Sequence, residues 1–488
     1  MKKLLSISLV LLSAMSIVSC RKDVVNVLPS DAIPVEQAFQ NMNDVNNAAN
    51  GVYGTWQARR SSYISSFMTD EVRLGTGTEY RNIGNILFNW LHVSDSQDWR
   101  DAETGGVWTN LYVVIDRANR VLERMIPVPT ENATEAALKS RIRGEMLAIR
   151  GMAHIELLRL FSATASYSGS DLGVVAQRNY AQDVATYFPG RSTQAEVVAF
   201  IDSSLSEARA LIPSNYADIS RITRNAVIAS QARLALYTRN WQKVVDSASA
   251  VLANVPITTN RTTYENLWRT KVVPATGTEV IWKLNVTPAN LGNAIGSLWQ
   301  DLNGAQQAAP AIKLLNTFDQ ANDVRYSVFF RTPTTVPAGA RNLIAKYGVV
   351  PNALMVPENF EYDIKMIRSS ELLLARAEAY AEMDMLTEAN NDLAALRAAR
   401  ITAYTHTPIT VKEDLINAIL LERYKELCYE GQRYIDLKRR ELTISRELAD
   451  VANNTVIQNL PASNAKYILP IPQQEVFANP NMQQNDGY

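Results

Sequence analysis

The sequence predicts a mainly α-helical protein, a scaffold of helical hairpins carrying loop-rich insertions and a few short strands. Three observations lead there. Apolar residues recur at helical spacing in one segment after another. Prolines and glycines stand at the ends of those segments, where a helix has to stop. The composition is 47% hydrophobic and 20% charged, ordinary for a globular chain, so global disorder is excluded.

The chain of 488 residues opens Met1-Lys2-Lys3, then runs apolar from Leu4 to Val18, diluted only by serines, and reaches Ser19-Cys20. A basic start, a short apolar stretch and a small residue before the cut describe a secretory signal over residues 1–19. The run is too short for a membrane-spanning helix. A cysteine directly after the small residue looks like a bacterial lipoprotein signal, with Cys20 as the lipidated first residue. Residues 20–34, with Pro29 and Pro34, read as lipid anchor and tether, and residues 35–488 as one domain.

Val35 to Ala58 reads as helix through Phe39, Met42, Val45 and Ala49. Arg73 to Ser96 is rich in Gly, Asn and Ser and holds Tyr80 and Trp90, with Trp99 just beyond, so it reads as loop. Val107 to Met125 returns to helix, ended by Pro127 and Pro129. Glu135 to Phe161 is a long amphipathic helix. Ser166 to Pro189 is loop, and Gln194 to Leu211 is helix stopped by Pro213.

Asn225 to Ala253 is two helices around a break at Arg239-Asn240, with Ala232, Ala235 and Ala248 at the contact points. Small residues there let two helices approach closely, and the scheme resembles a tetratricopeptide-type hairpin. Ser370 to Arg397 repeats it around Met383-Asp384-Met385. Between the two, residues 258–348 lack sustained helical period and read as an irregular insertion on the ligand side. Long insertions in a regular scaffold commonly carry the binding surface. Val411 to Tyr429 is a further helix closed by Gly431, followed by a short helix through Leu437.

Charge and motif content narrow the function. The 48 basic and 49 acidic residues leave a net charge of −1, which gives nucleic acid no electrostatic footing. With 2 Cys and 3 His, neither a Cys-rich zinc site nor a disulfide framework can form. No nucleotide-binding loop, nucleophile elbow or H-E-x-x-H helix is present, so no cofactor, metal or catalytic residue is expected. Cys428 reads as an inert core thiol. Glu422, Glu426, Glu430 and Asp436 could pair as glycosidase carboxylates. They interleave with Arg423, Lys425, Arg433, Lys438 and Arg439, which reads more simply as a salt-bridge lattice.

The order of motifs carries a family resemblance. Trp108-x-x-Leu111-Tyr112-x-x-Ile115-x-x-x-Asn119 follows the lipoprotein start. Arg143-Gly144-Glu145-Met146, Glu371-x-x-Leu374-x-x-Ala377-Glu378-Ala379 and Leu396-Arg397-x-x-Arg400 come next. The block from Glu422-Arg423 to Asp436-Leu437 and a terminal block from Leu469-Pro470-Ile471-Pro472 to Gly487-Tyr488 complete it. This resembles the SusD/RagB family of surface lipoproteins of Bacteroidetes over essentially the whole chain. It departs in the first-half aromatic loops and in residues 258–348.

The resemblance implies four tetratricopeptide-like units, an outer-membrane location through the N-terminal lipid and an outward-facing position. It implies no chemistry of its own. The partner would be a SusC-like TonB-dependent transporter, for which the protein serves as lid. The ligand would be an oligosaccharide, or alternatively a peptide. A helical surface glycosidase stays open as a reading of another class.

For glycan capture, flat aromatics stack on apolar sugar faces while amides and carboxylates reach hydroxyls. Tyr80, Trp90, Asp95 and Trp99 in one loop and Trp299, Gln300 and Asn303 in the insertion are the expected contacts. The expectation is that the fold brings the two loops together.

Overall fold

The computed structural model describes residues 38–74, 83–95, 102–163, 169–180, 186–300, 306–331, 343–348, 360–451 and 458–488. Cys20 and the rest of the expected anchor and tether, Tyr80, Trp99 and Asn303 lie outside them.

The first described helix, α1 (Met42–Thr55), starts late relative to the apolar pattern because Asn41 caps it. The Asn41 side chain accepts from the Asn43 and Asp44 N–H groups, and Asp44 reaches back to the Asn41 N–H in a capping box. A second helix, α2 (Arg59–Met68), is buried on nearly every side. Four serines and two arginines fill six of its ten positions, so its apolar signal is weak. The pair β1 (Val72–Arg73) and a one-turn helix α3 (Asn85–Phe88) give structure to the segment expected as loop.

The long helices follow the sequence reading closely: α4 (Ala102–Arg124), α5 (Ala133–Phe161) and α6 (Gln194–Leu211). α4, α5 and α6 pack side by side in that order. Gly144 sits where α5 meets the end of α6. A Cβ there would lie 2.8 Å from Ile212 and 3.2 Å from the Ala208 carbonyl, so the approach needs glycine.

The two expected hairpins are α7 (Arg224–Tyr237) with α8 (Trp241–Leu252) and, later, a pair described below. After α8 comes α9 (Arg261–Arg269), then β2 (Val280–Leu284), the short strand β3 (Ala309–Pro310), α10 (Ile312–Leu315) and α11 (Val324–Phe329). A small hairpin of β4 (Phe330–Arg331) and β5 (Leu343–Ile344) follows. Then β6 (Ile364–Arg368) pairs antiparallel with β2, with bulges in the register.

The second hairpin is α12 (Ser369–Glu382) with α13 (Leu386–Arg400). Both hairpins turn in the same way. Arg239 (φ 56°) and Asp384 (φ 61°) each take the left-handed conformation without being glycine. The next N–H reaches back to close the helix end, from Asn240 to Ala235 O and from Met385 to Tyr380 O, each at 2.9 Å. α12 packs on α8, so the second hairpin stacks on the first, as repeats do. The chain ends with α14 (Lys412–Glu426), α15 (Arg433–Arg439), the pair β7 (Ile444–Ser445) and β8 (Asn459–Leu460), and α16 (Gln473–Ala478).

One expectation needs correction. The described part of residues 258–348 is more than an insertion carried by the scaffold, because it supplies large core side chains. Trp268, Trp282, Trp299 and Arg325 are among the largest fully buried side chains. The segment showed no helical period because its elements are short, and nine residues of α9 are the longest helix within it among those described.

Charge also goes inside. Glu426, fully buried, lies 2.9 Å from Arg368, 3.1 Å from Arg325 and 3.2 Å from Arg400. Glu279 sits 2.8 Å from Arg400 and contacts Arg368, while Glu430 binds Lys346 and Arg368 at 2.6 Å each. Asp436 joins α14 to α15 by pairing with Arg423 at 2.9 Å and Arg439 at 2.8 Å. The lattice expected between neighbouring helices is present, and it extends to β2, α11 and β6.

Candidate functional site

The C-terminal end of α2 is where the aromatic loops take root. The Trp90 indole N–H donates to the Met68 carbonyl at 2.9 Å. Arg446 donates to the carbonyls of Phe67, Met68, Thr69 and Phe88, and its guanidinium lies over the rings of Phe88 and Trp90. Trp299 stacks on Phe67 at 6.2 Å and tilts against Tyr429 at 5.1 Å. β1 pairs with β3, and Gln300 bridges Gln306. The bases of the two loop regions therefore meet on Phe67 and Met68.

The loops beyond these bases, with Tyr80, Trp99 and Asn303, lie outside the described residues. Trp90 is 4% exposed and Trp299 1%, so neither offers a free face for stacking. An indole has so much apolar area that anchoring a loop root gains more than solvent exposure would. Gln300 is buried as well, with its backbone closing the bridge to Gln306. Asp95 alone among the expected contacts is both described and exposed.

Next to Asp95 lies a cleft that the sequence reading missed. The Gln473 N–H donates to the Ser94 carbonyl at 2.9 Å, which docks the segment ending at Asp95 against the start of α16. Behind it Trp108, Tyr112, Gln177, Tyr187, Phe188 and Glu475 line a cavity of about 270 Å³. Tyr187 and Phe188 are exposed, 42% and 40%. Their loop is held by Asn479 and Asn481, whose side-chain amides donate to the carbonyls of Pro189 and Phe188, each at 2.8 Å. Burial pushes the Glu475 carboxyl up, and a hydrogen bond from Trp108 opposes that. Two exposed rings, a carboxylate and an amide thus converge. An adjacent aromatic pair in a polar loop was the only local signal.

The carboxylates that could have suggested catalysis are occupied. Burial pushes Glu422 up, but Arg325, Lys425 and Arg397 outweigh it and hold the carboxyl at about 2. Glu426 is likewise pushed up by burial and held well down by Arg400, Arg368 and Arg325. A general acid needs the opposite shift. Glu71 has it, pushed to about 7 by burial, yet it is fully enclosed and bonded to Ser66 and the Tyr429 N–H. His154 is a core residue, its Nδ1 2.7 Å from the Arg150 carbonyl. Cys428 is buried and pushed up to about 12 by that burial. Among the described residues no group of His, Cys, Asp and Glu could hold a metal ion. No described helix is long and apolar enough to cross a membrane.

Comparison with known proteins bears on this geometry. The SusD family model matches residues 344–488. A second model, described as starch-binding and associating with the outer membrane, matches residues 30–236. SusD-like protein P38 of Formosa agariphila is 22% identical over an alignment spanning 100% of this chain and 99% of its own. SusD-like protein P2 of the same organism is 31% identical over 38% of this chain and 41% of its own. A SusD superfamily protein of Bacteroides vulgatus superposes with a TM-score of 0.79 at 22% identity, covering 92% of this chain and 100% of its own. A structure described as a laminarin-binding SusD-like protein gives 0.70 at 19% identity, covering 92% and 100%. At these identities the structural matches establish the fold.

Proposed function

The chain belongs to the SusD/RagB family, and on that premise we propose that it captures oligosaccharides at the outer membrane and hands them to a transporter. The observation that carries the reading is the cleft beside Asp95. Its exposed Tyr187 and Phe188 supply ring faces, and Glu475 and Gln177 supply hydrogen-bonding groups, the pairing that sugar recognition requires. Relatives described as starch-binding and laminarin-binding point to the same ligand class.

In this reading Cys20 carries the lipid that tethers the protein to the outer membrane, facing outward, and a SusC-like TonB-dependent channel is the partner beneath it. Binding alone is the task in this reading: Glu422 and Glu426 are committed to ion pairs and Glu71 is enclosed. Titration calorimetry of the full chain against neutral oligosaccharides tests it. Tyr187→Ala combined with Phe188→Ala should weaken binding at least tenfold with an unchanged melting temperature. Equal affinity would remove the cleft from the site. Hydrolysis of a bound glycan would overturn the non-catalytic reading, and tight binding of peptides alone would replace the ligand class. Co-purification of a β-barrel channel, lost in Cys20→Ala membranes, tests partner and anchor together.

A further inference from the structure

The segment Thr258-Thr259-Asn260-Arg261-Thr262-Thr263 plays no part in the cleft beside Asp95. It forms one wall of a separate cavity of about 490 Å³. The other walls come from residues 214–225, before and at the start of α7, and from residues 275–281, leading into β2. The volume falls inside the range of small-ligand sites, roughly 300–1,000 Å³.

The lining is its distinguishing property. It has twenty residues and not one is Lys, Arg, Asp or Glu, although 20% of the chain is charged. Charges close by in sequence are turned away. Glu279, between the lining residues Thr278 and Val280, points inward to Arg368 and Arg400. Arg261, beside Asn260, donates to the Thr402 hydroxyl at 2.7 Å. What remains is hydroxyls and amides, among them Thr259, Thr276, Asn225 and Asn254, set between apolar patches from Ile219, Val255 and Ile281. Tyr216 adds an aromatic ring with the Arg141 guanidinium 4.2 Å from its centroid on one side. Burial pushes its phenol up to about 12, so it is a neutral donor and acceptor.

We infer that this cavity is a second binding site of the chain, taking an uncharged, hydroxyl-rich ligand such as a short neutral oligosaccharide. Hydroxyls and amides both donate and accept, so they can follow a ring of sugar hydroxyls, and the absence of fixed charge avoids desolvating an ion against a neutral ligand. Strand addition by a peptide is disfavoured. The Lys283 N–H of β2 is already bonded to the Ile219 carbonyl at 2.9 Å, and the other edge of β2 is paired with β6.

The test is hydrogen-exchange protection of the full chain with maltohexaose or laminarihexaose, alongside an oligogalacturonate and an uncharged tetrapeptide. Protection at 254–263 and 275–281 by a neutral oligosaccharide, lost in Thr259→Arg with Thr276→Arg, is expected. Both threonines are exposed, and an unchanged melting temperature verifies folding. Affinity of the cavity for the sugar should fall at least tenfold in that variant. Protection confined to residues 91–95 and 186–190 would overturn the second site and leave the proposed function standing. Protection confined to the cavity would uphold the inference and remove the cleft beside Asp95 from the proposed site. Protection of the cavity only by the tetrapeptide or the oligogalacturonate, or by no probe, would overturn the inference.

Discussion

Trp90 and Met68 are joined by an indole hydrogen bond of 2.9 Å, in a chain position where Trp90 itself is held at φ 52°. The bond fixes the root of an aromatic loop to the end of α2, under the guanidinium of Arg446. Replacing Trp90 by Ala should lower stability by about 3–5 kcal/mol, as large-to-small changes of buried aromatics do. Trp299→Ala, which empties the space between Phe67 and Tyr429, should do the same. Urea unfolding measures both, and an unshifted midpoint would mean the rings are not structural.

Glu426 is surrounded by three guanidinium groups with no solvent in reach. Glu426→Gln leaves Arg325, Arg368 and Arg400 short of negative charge. The cost should be about 3–5 kcal/mol, typical of breaking a buried ion pair from one side. Arg368→Met should be comparably damaging, because it removes one buried cation from each of Glu279, Glu426 and Glu430. Thermal melts of the variants decide the matter. A wild-type melting point in either would show the lattice to be dispensable.

Glu71 makes stability depend on pH. Burial is the main cause of its shift to about 7 from an ordinary value of 4.5. Below pH 4.5 the carboxyl is protonated folded or unfolded. Between 4.5 and 7 the folded chain keeps a proton that the unfolded chain loses, so stability falls as pH rises, then levels off. The full drop is on the order of 3 kcal/mol. Glu71→Gln should abolish this component, its amide oxygen accepting from Tyr429 and its nitrogen donating to Ser66. Denaturation at pH 4.5 and 8 should show the variant gaining on the wild type at the higher pH; a constant difference would contradict it.

Cys428 should behave as a reporter of unfolding. Its thiol is fully buried and donates to the Lys425 carbonyl at 3.4 Å. Burial raises it to about 12, so almost no thiolate exists at neutral pH. In a Cys20→Ser chain, a thiol reagent should react only at the rate of global opening. Fast labelling in native buffer would show a local opening around α14.

Several helices of the scaffold were legible from apolar spacing, a capping residue such as Asn132, Thr193 or Thr223, or a proline or glycine beyond the end. The span of α6 matches its reading to the residue, since Thr193 caps it with Glu196 in a capping box and Pro213 follows. The hairpin pair was legible from alanines at the contact points. α2 was not, because four serines and two arginines dilute its apolar residues and only tertiary packing buries them. Nor were the short elements within residues 258–348, where β2 and β6 find each other across some eighty residues. In the candidate site, two of the rings expected to face a ligand are covered by the core. Trp90 and Trp299 look like binding residues in a polar loop, and only packing on Phe67, Met68 and Tyr429 shows them to be anchors.

By itself the sequence determined the family, the helical scaffold, the paired charges along α14 and the inert character of Cys428. These follow from local patterns: spacing along one helix, caps at its ends and motifs in fixed order. Tertiary structure alone decided which partners those charges take, which aromatic rings are covered and where cavities form. Glu426 meets Arg325, Arg368 and Arg400 from three separate elements, and Glu475 meets Trp108 across most of the chain. Such relations depend on how distant segments pack, and no local pattern encodes the distance between them.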